Sequence, residues 1–400
     1  MARLFFFNVP LAGHLYATLP LVRELVARGE EVTYFCSPVF RHVISATGAT
    51  FHPIAISATT QPKRGQTLSS FALVDMVMRT TEAVLPELLH RVTAEQPDYI
   101  ISDFFCRWGR LTAQLTGRTL ITTHPIFVAT PRLMTRMMFQ EAQNYLAHLP
   151  EFIPQWLRFQ WISRTLTQRY GVKRLTIRDL TLDVASDLNL VFTSEDFQPH
   201  RGQLTGNFVF VGPSIGAREA DKPLPAHITQ PDKPLVYLSL GTLFNQDVGL
   251  LRRWIEALRS MNVTGIVAYG AELTPTALPP KPDHFLYLAH APQLQVLEQA
   301  ALFITHGGLN SISEGIYHQT PLIVLPQAAD QFVNAEQVAK HKVGVWLQKP
   351  VQPPAQLRSI AEHALTDGEI AHSVSRLRQS FRAAGGYLRA ADEIFKLNKR

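Results

Sequence analysis

The stretch THGGLNSISEG, residues 305–315, gathers a histidine, two glycines, an amide, hydroxyls and a carboxylate into one short segment. An apolar run, LFIT, delivers His306. Gly307 and Gly308 let the backbone come close to a ligand. Asn310 and Ser311 add polar groups where the next helix would begin, and Glu314 lies one helical turn beyond Asn310 on the same face. Strand, glycine turn and helix N-terminus in that order form a natural anion site, because the first N–H groups of a helix are unpaired and its dipole is positive there. Glu314 could accept hydrogen bonds from vicinal hydroxyls, as on a ribose. A diphosphate with a sugar at each end satisfies the whole set. Taken alone, the glycine pair reads equally well as a tight turn with a capping Asn310.

A second segment, SLGT (239–242), could offer Thr242 and its backbone to the same phosphates, although Gly-Thr after a strand is common. Neither half of the chain has GxGxxG after its first strand, which argues against a standard dinucleotide fingerprint. The third feature is His14, in PLAGHLYATLP (10–20), just after the first expected strand. In open α/β sheets that edge faces ligands. Asp103, in ISDFF, ends another strand of the same sheet. Such a pair is a base and its orienter, the carboxylate fixing the imidazole tautomer and stabilising the imidazolium. A histidine near a helix start is also often structural, and Asp103 alone could cap the following helix.

These residues need strands to carry them. RLFFFN (3–8) is a buried-strand pattern. Leu15, Leu19, Val22, Leu25 and Val26 recur at helical spacing, Gly29 stops that helix, and EVTYF (31–35) is the next strand. A β-α-β unit implies a parallel sheet. Further strands are expected at 99–104, 119–124, 188–194 and 207–212. A second set is expected at 235–242, 265–270, 284–289, 302–306, 321–326 and 343–347. GPSIGAREADKPLPAHITQPDKP (212–234) is rich in Pro, Gly and charge. The expected division is a first domain over 1–212, a linker over 213–234, a second domain over 235–371, and a C-terminal helical segment over 372–400 packing back on the first domain.

The chain has 400 residues, too many for one ordinary core. It is 46% apolar and 18% charged, which excludes general disorder. The net charge is +6 without a dense basic run before Lys396, Lys399 and Arg400, which argues against nucleic acid as a partner. Cys36 and Cys106 form no CxxC pair, so a disulfide framework or zinc site is not expected and a reducing cytoplasm fits. No apolar run reaches the ~18 residues of a membrane helix. Met134, Met137, Met138, Phe139, Phe152, Trp156, Phe159 and Trp161 crowd one region. They read either as a packed helical insertion or as the wall of an apolar cleft, with Met134, Met138, Phe139 and Trp156 as candidate acceptor contacts.

From HAPQLQVL (290–297) through THGGLNSISEG to PQAADQFVNAEQV (326–338), the chain resembles the nucleotide-sugar signature of family 1 glycosyltransferases, in the style of the bacterial macrolide and flavonoid enzymes. The likeness continues in PLAGHLYATLPLVREL, PDYIISDFFCRWGRLTA (97–113) and YLSLGT. It implies the α/β GT-B fold, two facing Rossmann-like domains with parallel sheets and an interdomain cleft. It implies an inverting transfer from a UDP-sugar, with glucose favoured, to a hydroxyl of an apolar small molecule, and no metal or other cofactor. His14 would be the base and Asp103 its orienter. His306, Gly308, Asn310, Ser311 and Thr242 would meet the diphosphate and Glu314 the ribose. Gln293 would lie beside the uridine, and Asp330 and Gln331 would contact the donor sugar. His290 stands where plant members carry the tryptophan that stacks on uracil, and Leu15-Tyr16 replaces smaller or polar residues of many relatives. Two other expectations compete: a non-catalytic GT-B protein binding a nucleotide or glycan, and a lipid or sterol glycosyltransferase at a membrane surface.

Overall fold

The computed structural model describes residues 1–55, 70–136, 149–182, 185–216, 224, 232–241, 247–270, 273–327, 330–349 and 351–397. Thr242, Met138 and Phe139, and most of the expected linker, lie outside them. The chain forms two compact units, Met1–Ala217 with Ala384–Arg400, and Arg218–Ala383.

The first unit runs β1 (Arg3–Phe7), α1 (Ala12–Ala27), β2 (Glu31–Cys36), α2 (Arg41–Ser45), β3 (Thr50–Pro53), α3 (Ser70–Glu95), β4 (Tyr99–Asp103), α4 (Arg107–Thr116) and β5 (Thr119–His124). It continues with α5 (Leu149–Tyr170), α6 (Ile177–Thr181), β6 (Leu188–Val191) and β7 (Phe208–Phe210). The strands pair in parallel in the order β3-β2-β1-β4-β5-β6-β7. Three consecutive phenylalanines in β1 show why its apolar run is unbroken. Phe6 joins the core on the α1 face, whereas Phe5 and Phe7 join the core on the opposite face with Val77, Leu88 and Trp108. A parallel strand is covered on both sides, so both side-chain sets must be apolar.

The second unit runs β8 (Leu235–Ser239), α7 (Val248–Arg259), β9 (Thr264–Ala268), β10 (Phe285–Leu288), α8 (Gln293–Leu297), β11 (Ala300–Thr305) and α9 (Leu309–Tyr317). It continues with β12 (Leu322–Val324), α10 (Gln331–Lys340), β13 (Gly344–Trp346), α11 (Pro354–Thr366) and α12 (Gly368–Ala383). The order is β10-β9-β8-β11-β12-β13, again all parallel. In each sheet the order reverses once, between β1 and β4 and between β8 and β11. Those reversals are where open α/β sheets hold ligands, at the C-terminal ends of the strands.

Two sequence expectations need correction. Strand β3, at the sheet edge, was not anticipated. The helical segment expected over 372–400 is two helices, α12 and a final α13 (Gly386–Leu397), separated at Gly385 and Gly386, whose φ of 91° and 62° end one helix and redirect the chain. Only α13 belongs to the first unit. There Ala390, Ala391 and Ile394 share a core with Leu15, Leu21 and Leu25 of α1.

Candidate functional site

At the first unit's reversal point, β1 leads through a short turn into α1, whose first turn carries His14. Asp103 is the last residue of the neighbouring β4. The two side chains meet, with His14 Nδ1 2.9 Å from Asp103 Oδ2. The carboxylate is almost wholly buried, and its other oxygen accepts the Phe105 backbone N–H at 2.9 Å. A buried carboxylate beside Nδ1 selects the tautomer with the proton on Nδ1, which puts the lone pair on Nε2. The imidazole keeps 13% side-chain exposure, enough for a reactant to reach it.

Phe104, the residue after Asp103, stacks near-parallel to the His14 ring at 5.7 Å. It stacks in the same way with His124 at the end of β5, at 5.5 Å. His124 is buried, its Nε2 lies 3.0 Å from Asn189 Oδ1, and burial pushes its pKa down to about 4. It is therefore a neutral donor to Asn189 near pH 7. Beneath α1, Asn8 donates to Tyr34 at 2.8 Å and Thr18 lies 2.8 Å from the same phenol, a buried polar cluster that fixes the helix against the sheet.

In the second unit, β11 delivers His306 and α9 starts after Gly308, with no side chain capping its N-terminus. The His306 ring is wedged between two backbones. A Cβ on Gly241 would lie 2.6 Å from it, and one on Gly308 2.8 Å from its Nε2. Both positions thus need glycine. Burial pushes the His306 pKa down to about 4, so the ring is neutral near pH 7. Thr305 Oγ1 lies 3.4 Å from its Nδ1. Gly307, at φ 90°, has Val324 where a Cβ would go, 2.5 Å away.

Around this turn the expected residues fall into two groups. Gln293, at the start of α8, donates from Nε2 to Glu314 Oε2 at 2.6 Å and to Ser311 Oγ at 3.4 Å. Glu314 is 5% exposed. Asp330 and Gln331 sit at the N-terminus of α10. Gln331 is buried and accepts the Gln327 N–H at 2.8 Å. Asn334, one turn on, donates to the Gly307 carbonyl at 2.8 Å and to Asp330 Oδ2 at 3.2 Å, tying the glycine turn to the carboxylate. His290, past the end of β10, is exposed, and Asn310 is half-buried in the first turn of α9.

The structure brings together His14 with Asp103 and, separately, Gln293 with Ser311 and Glu314. Of the expected acceptor contacts, Met134 is half-buried, and Trp156 stands 41% exposed on α5. Reading the sequence missed Phe104, His124, Tyr237 and Asn334. Asn334 had a signal, four residues beyond Asp330 on one helix. Phe104 and His124 join the site by ring stacking, and Tyr237 by a hydrogen bond to Gln293 that no spacing in the sequence signals.

The chain matches the family model described as UDP-glucoronosyl and UDP-glucosyl transferase over residues 67–378. It belongs to that family. The match takes in Asp103 and every residue of the glycine-turn cluster, whereas His14 lies before it. Likeness to single relatives covers both. The NDP-glycosyltransferase YjiC of Bacillus licheniformis is 29% identical over 97% of this chain and 96% of its own. The oleandomycin glycosyltransferase of Streptomyces antibioticus is 28% identical over 98% of this chain and 90% of its own. The crystal structure of the glycosyltransferase of kitacinnamycin superposes with a TM-score of 0.84 at 28% identity, covering 99% of this chain and 98% of that one. The protein is a glycosyltransferase with the two Rossmann-like sheets of the GT-B class. Among the described residues no helix is long and apolar enough to cross a membrane.

Proposed function

We propose that this glycosyltransferase moves a sugar, glucose being the expected one, from a UDP-sugar to a hydroxyl of an apolar natural product, with inversion at the anomeric carbon. The observation that carries the reading is the 2.9 Å contact between His14 and the buried Asp103 at the reversal point of the first sheet. Nε2 takes the proton of the acceptor hydroxyl as its oxygen attacks the anomeric carbon. The bond from that carbon to the diphosphate breaks, and UDP leaves with the electron pair. Asp103 holds the imidazole and stabilises the imidazolium. Nearby relatives support the acceptor class, since one acts on oleandomycin by name.

In the second unit the N-terminus of α9, His306, Asn310 and Ser311 would meet the diphosphate, and Glu314 the ribose hydroxyls. Asp330 and Gln331 would hold the sugar. Donors of this kind stabilise the leaving charge without a metal ion, so EDTA should leave turnover unchanged. Two buried free thiols suit the reducing cytoplasm in which we place the enzyme.

A panel of nucleotides and nucleotide sugars, read by thermal shift, followed by transfer to aromatic and polyketide alcohols, tests the reading. UDP and UDP-glucose should stabilise the protein with or without magnesium, and the product of an α-linked donor should be a β-glycoside by its anomeric proton coupling. Binding of nucleotide without transfer to any alcohol would favour a non-catalytic binding protein. One surface favours a variant of the same reading. Ile153, Leu157 and Trp161 line an exposed face of α5 at helical spacing with Trp156 beside them, as a helix that takes its acceptor from a membrane surface would. Co-sedimentation with anionic liposomes decides that variant.

A further inference from the structure

The reading of Glu314 as the ribose carboxylate leaves open what holds it in place, and the inference that follows rests on that reading. Glu314 lies on α9, Gln293 on α8 and Tyr237 in the middle of β8, three elements with no sequence proximity. Their side chains form a chain of hydrogen bonds. The Tyr237 hydroxyl lies 3.3 Å from Gln293 Oε1, and Gln293 Nε2 lies 2.6 Å from Glu314 Oε2.

The chemistry of this chain has one direction. A carboxylate only accepts, so the amide must turn its NH2 toward Glu314. That turns its carbonyl oxygen toward Tyr237, and a phenol facing a carbonyl must donate. The carboxylate thus sets which way the amide faces, and Tyr237 anchors its carbonyl end. Its own ring is 1% exposed and stacks on Phe303 of β11 at 4.7 Å, with 11° between the planes. The phenol is thus fixed by the sheet that carries His306 at the end of that same β11.

We infer that Tyr237 is a positioning residue for nucleotide binding: through the Gln293 amide it presets Glu314 to receive the ribose hydroxyls of the donor. Removing the phenol oxygen leaves the amide carbonyl without this donor and unties the far end of the side chain that holds Glu314. The carboxylate then loses its fixed position. Tyr237 acts on the donor only through Gln293 and Glu314, so its effect falls on ligands that present ribose hydroxyls.

The test is titration calorimetry of the full chain with UDP and with 2′,3′-dideoxy-UDP, comparing wild type, Tyr237→Phe and Glu314→Gln. Phenylalanine keeps the ring stack, and near-ultraviolet circular dichroism checks that the core is intact. Tyr237→Phe should weaken UDP binding about five- to tenfold, one hydrogen bond's worth, and leave dideoxy-UDP within about twofold. Glu314→Gln should show the same selectivity with a larger loss. Equal weakening toward both nucleotides would make Tyr237 merely structural and overturn the inference, as would no weakening at all. If Glu314→Gln discriminates between the two nucleotides and Tyr237→Phe does not, the relay alone is wrong. If Glu314→Gln does not discriminate, or UDP does not bind the wild type, the ribose reading itself fails and the relay falls with it.

Discussion

His14 has one nitrogen committed to Asp103, and in the proposed mechanism that commitment makes the other the base. His14→Ala should lower kcat by about 10² to 10⁴, the usual share of a general base, while leaving the dissociation constant for UDP within about twofold. Steady-state kinetics with calorimetry on the same preparations separates the two effects. A variant with full turnover would sink the base assignment. Asp103→Asn keeps a hydrogen-bond acceptor for Nδ1–H but loses the charge that stabilises the imidazolium, so it too should lower kcat and spare UDP. Two other histidines bear on stability rather than turnover. His124 and His306 are both held down to about 4 by burial, against an ordinary value of 6.5. Between those values the unfolded chain binds protons that the folded chain refuses. Stability therefore rises with pH across that window and is lost as pH falls from 6.5 toward 4, by roughly 1.4 kcal/mol per pH unit for each ring. Melting temperatures at a series of pH values should show this loss. The His124→Gln variant, which keeps an amide donor for Asn189, should have a shallower slope. An unchanged slope would mean that the ring is charged in the folded protein.

At the scale of elements, the turn between β11 and α9 is rigid because its glycines have no room to be anything else. Gly307→Ala adds a methyl 2.5 Å from Val324 in a backbone conformation that L-residues avoid. It should weaken UDP binding by tenfold or more. Adding Val324→Ala removes the steric half of the problem, so the double variant should recover part of the affinity. If it recovers none, the backbone conformation alone decides. Much of this architecture was legible in the sequence. The apolar runs marked β1, β4, β8 and β11, because a strand buried on both faces admits few polar side chains until it ends, whereas β5 buries Thr122 and Thr123 before His124. Strand β3 was not legible. Thr50-Phe51-His52-Pro53 has neither alternation nor an apolar run, and an edge strand can end in proline because one side of its ladder is open. The pairing of His14 with Asp103 could be anticipated only from fold logic, since 89 positions separate them. Tyr237 could not be anticipated, because it reads as one more apolar position in a buried strand and its partner lies 56 positions on.

The whole chain closes on its beginning. The final helix α13 leaves the second unit at Gly385 and Gly386 and completes the core of the first, where Ala390 and Ala391 are fully buried against the layer that holds Leu15, Leu21 and Leu25. Small residues let α13 come close to α1, and Ile394 with the partly buried Tyr387 and Phe395 fills the flanks. The Arg28–Asp392 ion pair at 2.5 Å joins the same two helices, but Asp392 is 58% exposed, so the pair adds little beside the apolar contact. Burial of one large aliphatic or aromatic side chain is worth about 1.5–3 kcal/mol, so losing α13 should cost the first unit several kcal/mol. The Gly386 N–H also bonds to the Val211 carbonyl, which ties the helix start to the end of the first unit's sheet. A chain ending at Ala383 should therefore show faster amide exchange in β1, β2 and α1, while β8, β11 and β12 keep their protection. Such a truncation should retain UDP binding by the second unit and lose transfer. Exchange that rises equally in both sheets would show that the second unit depends on α13 as much as the first. Exchange that rises in neither would show that the α1 core stands without it.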